Sequence, residues 1–160
     1  MTGKPKWDIR FESQIDPLPA DCAVLKTVAE TVMRRFRERQ ATISITFVND
    51  ALMQEVHKQF LQDASTTDVI SFDLTDEFER QRVFEVVVNA EMAGRQARQR
   101  GHSIEAELAL YITHGLLHNL GFDDDSPERA ARMHDLEDAL LTKLGFVGIY
   151  FDSNTTNGKD

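Results

Sequence analysis

The chain is poor in cysteine. Its 160 residues hold Cys22 alone, which excludes an internal disulfide and fits a reducing compartment. Long apolar runs are missing too. No stretch approaches the ~18 consecutive apolar residues of a membrane span, and the opening M-T-G-K-P-K-W-D lacks the apolar segment of a secretory signal. A cytoplasmic protein without a membrane partner is expected. Basic charge is scarce: 18 lysines and arginines face 27 carboxylates, a net charge of −9. That argues against broad, non-specific duplex binding, which rests on phosphate neutralisation. Two local arginine clusters remain, Arg34, Arg35, Arg37 and Arg39, then Arg95, Arg98 and Arg100. Both read as solvated helix faces near helix ends.

What is present fits one soluble domain. Hydrophobic content of 41% and charged content of 28% are ordinary for a globular protein. Residues 1–150 are expected to form a single domain, and the polar run D-S-N-T-T-N-G-K-D a disordered tail over 151–160. The pattern predicts strands at 7–15, 42–48, 68–74 and 82–89, where alternation and β-branched residues concentrate. Pro17 and Pro19 mark a turn, and 62–67 and 75–81 read as loops. Helices are predicted at 20–39, from Asn49 or Asp50 through Phe60, at 91–100, from Ser103 to Leu120, and from Ser126 to Leu144. Ser126-Pro127-Glu128 is a helix start. The order β-α-β-α-β-β-α-α-α predicts an α+β fold, a four-stranded mixed sheet with about five helices. Apolar residues wrap nearly all of 104–120, so that helix should be central.

This buried helix carries the chemistry. His114 and His118 lie four apart, on one helical face, so both imidazoles reach one point. Gly121 then permits a left-handed turn, and Asp124, six residues after His118, can return to the histidines. Asp123 and Asp125 stand beside it as alternatives. Two imidazoles and a carboxylate suit one Zn²⁺ ion and leave a fourth position open, the mark of a catalytic site. A closed structural site would instead need a fourth ligand, such as Asp123 or His134. His57, His102 and His134 otherwise read as surface or core histidines. Zinc peptidases with an H-E-x-x-H helix carry their glutamate base at the position held here by Gly115. That glycine argues against a peptidase. No general acid or base can be named from the residues.

Two segments, H-G-L-L-H-N-L-G-F-D-D at 114–124 and T-D-V-I-S-F at 67–72, resemble the YbeY family of bacterial rRNA maturation factors. R-Q-A-R-Q-R-G-H at 95–102 and Met133 also fit the family pattern. The resemblance covers roughly residues 40–145. It implies a zinc-dependent, single-strand-specific endoribonuclease acting in ribosomal RNA maturation and ribosome quality control. Single-stranded or ribosomal RNA would be the substrate, with ribosomal subunit proteins as further candidate partners. Three departures stand out. Asp124 replaces the family's third histidine, Leu61 stands where an arginine is usual, and Phe84 replaces the glycine before the acid kept at Glu85. Without that arginine, which would hold phosphate, a non-catalytic ribosome-associated binding protein with a vestigial or structural metal is the alternative.

Overall fold

The computed structural model describes residues 3–16, 20–61 and 67–146. Four strands and five helices alternate as β1 (Lys6–Ser13), α1 (Cys22–Arg35), β2 (Gln40–Val48), α2 (Asp50–Leu61), β3 (Val69–Asp73), β4 (Arg82–Asn89), α3 (Ala90–Arg100), α4 (Ile104–Asn119) and α5 (Pro127–Lys143). The sheet order is β1-β2-β4-β3. β1 and β4 flank β2 in parallel, while β3 runs antiparallel to β4 at the sheet's edge. The expected α+β fold with a mixed sheet is the one observed, and segments 42–48 and 82–89 are neighbours in it.

Alternation along the central strands divides the molecule into two layers around the sheet. Ala41, Ile43, Ile45 and Phe47 of β2, with Phe84, Val86 and Val88 of β4, point to one face. There they meet Leu25, Val28 and Val32 of α1 and Leu108, Ile112 and Leu116 of α4 in the main core. Each fully buried leucine or isoleucine contributes on the order of 1.5–3 kcal/mol. The opposite face is covered at one end by α2, where Met53 packs with Val48, Ile70 and Val87.

Helix α4 is the central element. Twelve of its sixteen residues are buried, against six of fourteen in α1, because α1, α3, α5 and the sheet all pack on it. Ser103 caps its start by accepting from the Ala106 amide. Glu107, fully buried, accepts from Arg100 at 2.9 Å and lies 2.6 Å from His102 Nε2. A carboxylate placed there without such partners would destabilise the fold by several kcal/mol. The second arginine cluster is thus partly structural: Arg100 neutralises Glu107, and Arg95 pairs with Asp50 at 2.5 Å. No helix among the described residues is long and apolar enough to cross a membrane.

Some boundaries differ from the sequence expectation. α1 ends at Arg35, four residues early. Phe36 closes it, and Arg37 takes a left-handed conformation, φ 59°, without a glycine to announce the turn. The chain must straighten there because the Arg39 carbonyl already accepts from the Lys6 amide, opening the β1–β2 ladder. Arg34 lies over the Trp7 ring and Arg35 over Phe36, so this cluster also packs against aromatics. β1 covers Lys6–Ser13 and not 7–15. The expected turn at Pro17–Pro19, most of the loop at 62–67, and the tail at 151–160 lie outside the described residues.

Candidate functional site

The segment after α4 is built to return toward its own helix. At the helix end the Gly121 amide donates to the His118 carbonyl and the Phe122 amide to the Leu117 carbonyl, with Gly121 at φ 102°. This paired closure needs a left-handed residue, which glycine adopts without a Cβ penalty. Phe122 then packs against Phe36 of α1, ring centroids 5.3 Å apart. Asp125 is held by two hydrogen bonds from Arg129, and Ser126 caps α5. Between these two anchors Asp124 faces α4.

His114, His118 and Asp124 come together. Asp124 Oδ2 lies 3.6 Å from His114 Nε2 and 3.8 Å from His118 Nε2. The two imidazole nitrogens are 3.1 Å apart, on rings inclined at 82°. Ligands on a tetrahedral zinc, at about 2.0–2.2 Å each, stand roughly 3.3–3.6 Å from one another. The observed sides, 3.1, 3.6 and 3.8 Å, lie within about 0.2 Å of that spacing. Among the described residues this group has three members, so nothing there fills a fourth position. Asp125 is committed to Arg129, and Asp123 reaches only the other side of His118, 3.8 Å from Nδ1. Of the three adjacent aspartates, Asp124 alone faces both histidines.

A fourth residue orients the group. Glu137 of α5 is 1% exposed, and its Oε2 accepts from His114 Nδ1 at 2.5 Å. A proton fixed on Nδ1 leaves the lone pair of neutral His114 on Nε2, toward His118 and Asp124. Burial alone pushes the His114 pKa down. The hydrogen bond and charge of Glu137, with the charges of Asp68 and Asp124, outweigh it, and the net direction is up. The sequence does hold a signal for Glu137. It sits on the apolar stripe of α5, four residues after Met133 and three before Leu140, where an acid has no place unless it is paired.

Gly115 settles how closely α4 approaches the sheet. A Cβ there would lie 2.9 Å from Val86 Cγ1 and 3.0 Å from Ser71 Oγ and Val69 Cγ2. The Ser71 hydroxyl donates to the Gly115 carbonyl at 2.7 Å. The peptidase glutamate position is therefore pressed against β3 and β4, with no room for a side chain. The two segments singled out in the sequence, 67–72 and 114–124, meet through this contact.

A cleft of about 740 Å³ runs beside the histidines. It is lined by His57 of α2, by residues 67–72 and by His114, His118, Asp123 and Asp124. Because neighbouring strand residues point to opposite faces, a cleft lined by both Ser71 and Phe72 wraps around the edge of the sheet. Asp68 enters it with Oδ1 held by the Val69 amide and the Thr67 hydroxyl. His57 thus belongs to the cleft wall, which its sequence context did not reveal. His102 is bound to Glu107, and His134 is partly buried on α5. Glu85 is not in the lining. It lies on β4 opposite Phe72 of β3. Leu61 ends α2, and its side chain lies outside the description.

Fold and site define a one-domain α+β protein with a histidine–histidine–aspartate group at the mouth of an edge-strand cleft. The family model described as Endoribonuclease YbeY matches residues 12–145. The chain is 37% identical over 139 residues to an Endoribonuclease YbeY of Beutenbergia cavernae, covering 81% of this chain and 92% of the relative. It is 32% identical over 132 residues to that of Carboxydothermus hydrogenoformans, with the same coverages. In fold it is similar to the solution structure of a Thermotoga maritima protein, with a TM-score of 0.55 at 21% identity over 84% of this chain and 90% of the other. The chain belongs to the YbeY family.

Proposed function

We propose that this protein is a zinc-dependent, single-strand-specific endoribonuclease acting in ribosomal RNA maturation and ribosome quality control in the cytoplasm. The observation that carries the reading is the convergence of His114 Nε2, His118 Nε2 and Asp124 Oδ2 within 3.1–3.8 Å beside an open cleft, in a chain of the YbeY family. Two imidazoles and one carboxylate are a donor set that zinc accepts. His114, His118 and Asp124 would hold one ion. When bound, zinc supplies Lewis acidity and a more acidic water for phosphodiester hydrolysis.

The chain's own residues do the rest. Glu137 keeps His114 in the tautomer that presents Nε2. The Gly121 turn and the Asp125–Arg129 pair set the distance of Asp124 from α4. Gly115 and Ser71 fix α4 against β3, so that the cleft wall and the histidines keep one spacing. The test is metal content of the purified protein, followed by cleavage of single-stranded RNA with and without chelator. Zinc near one equivalent and cleavage abolished by chelation are expected.

One observation favours a second reading. Leu61 replaces the arginine usual in the family, and a chain that binds zinc but leaves RNA intact would be a ribosome-associated binding protein. Co-sedimentation with ribosomal subunits separates the two when cleavage is absent.

A further inference from the structure

The cleft beside the histidines has an unusual wall for a site that takes a polyanion. Among the described residues its lining contains no lysine or arginine, and three of its side chains are the carboxylates of Asp68, Asp123 and Asp124. The sequence between α2 and β3, Q-D-A-S-T at 62–66, holds no lysine or arginine. A neighbouring hollow shares Asp123 and carries Arg129 and Arg132, but Arg129 there is paired with Asp125. Phosphate neutralisation inside the main cleft therefore has little to work with before a metal is bound. Affinity for RNA inside the main cleft must draw on another part of the nucleotide, whatever Arg132 of the neighbouring hollow adds outside it.

The other chemistry on that wall is aromatic. Phe72 of β3 lines the cleft on the α2 side of the sheet edge. Phe60, in the last turn of α2, packs edge-on against it, centroids 5.2 Å apart and planes at 65°. Phe60 is 59% exposed. A phenylalanine left so far in water gains little from folding, and its one described ring contact is with the residue that faces the cleft. Aromatic faces bind any unpaired base, because every base has a π-face. A base inside a duplex is stacked on its neighbours and cannot offer that face.

We propose that Phe60 and Phe72 form a stacking platform for an unpaired base of the RNA strand whose backbone lies at the histidine–aspartate group. The platform makes the cleft selective for single strands and supplies binding that its acidic lining cannot. This inference rests on the endoribonuclease reading and gives it a specificity determinant.

The test is equilibrium binding of a short single-stranded RNA, and of the same backbone without bases, to the zinc-loaded protein. Phe60 is exposed and outside both cores, so Phe60→Ala should fold. It should weaken RNA binding roughly ten-fold, the effect of losing one stacked base, with zinc affinity unchanged. The base-free strand should bind weakly and equally to wild type and variant. Phe60→Trp should restore RNA binding, and Phe72→Leu should match Phe60→Ala. Unchanged RNA binding by Phe60→Ala, with wild type binding and cleaving RNA, overturns the platform alone. An equal loss for the base-free strand overturns it as well. A Phe60→Ala protein that keeps RNA binding but loses ribosomal subunits would mark a protein-docking patch instead. Wild type that binds no single-stranded RNA overturns the platform together with the endoribonuclease reading.

Discussion

Glu137 and His114, twenty-three residues apart, share a hydrogen bond of 2.5 Å between α5 and α4. The carboxylate is buried and the imidazole is a member of the three-residue group. Their contact joins the packing of the last helix to the orientation of the site.

Glu137→Gln tests that connection. The amide oxygen can still accept from Nδ1, but the charge that makes the ring a better donor to a cation is gone. Zinc affinity should fall about ten-fold, measured by competition with a chromophoric chelator. An unchanged affinity would show that Glu137 serves packing alone.

His114→Ala removes one of the three converging groups. Zinc binding and RNA cleavage should be lost together while the circular dichroism spectrum persists. Cleavage equal to wild type would assign the activity to a contaminant.

Gly115→Ala places a methyl group 2.9–3.0 Å from Val86, Ser71 and Val69. Overpacking of this kind costs about 1–3 kcal/mol, so Tm should fall by several degrees. The displacement of α4 from β3 should also widen the cleft and lower cleavage. A Tm equal to wild type would mean that the sheet yields more easily than the contact indicates.

The pH dependence follows from His114. Its pKa in the fold is raised above the ordinary value of about 6.5, chiefly by Glu137 against the opposing effect of burial. A raised histidine pKa stabilises the metal-free protein fully below the unfolded value, and this contribution is lost as pH rises through the folded value. Zinc needs the neutral ring. The Tm gap between zinc-loaded and chelated protein should therefore widen as pH rises through that window. A gap constant from pH 5 to 8 would contradict the His114–Glu137 coupling.

Leu61→Arg restores the residue usual in the family at the end of α2. If phosphate is held from that position, cleavage should rise relative to wild type at equal zinc occupancy. No activity in either protein, despite bound zinc, would favour the binding-protein reading.

Much of the fold was legible because its signals are local. Alternation in T-I-S-I-T-F-V marked β2, and the apolar wrap of 104–120 marked α4 as central. The histidine pair and Gly121 were readable because helical periodicity and the left-handed turn act within a few residues. What was not legible depends on contacts between distant segments. α1 was read too long because Arg37 makes its turn without glycine, under the pull of the β1–β2 ladder. Glu137 joins the site only because α5 packs on α4. The pairing of Phe60 with Phe72 needs α2 and β3 to meet. His57 enters the cleft for the same reason.

β3 has a consequence for how the site moves. It is the shortest strand, five residues, and it is paired on one side only. Across the cleft stand the histidines of α4, the most enclosed helix. One bank of the site thus belongs to the part of the protein that opens last, and the other to a part that opens easily. Amide exchange should be faster at the outer groups of β3 than along α4. On the endoribonuclease reading, a strand of varying sequence can then be admitted by yielding at the end of β3 beyond Ser71, while the Ser71–Gly115 contact keeps wall and histidines at one spacing.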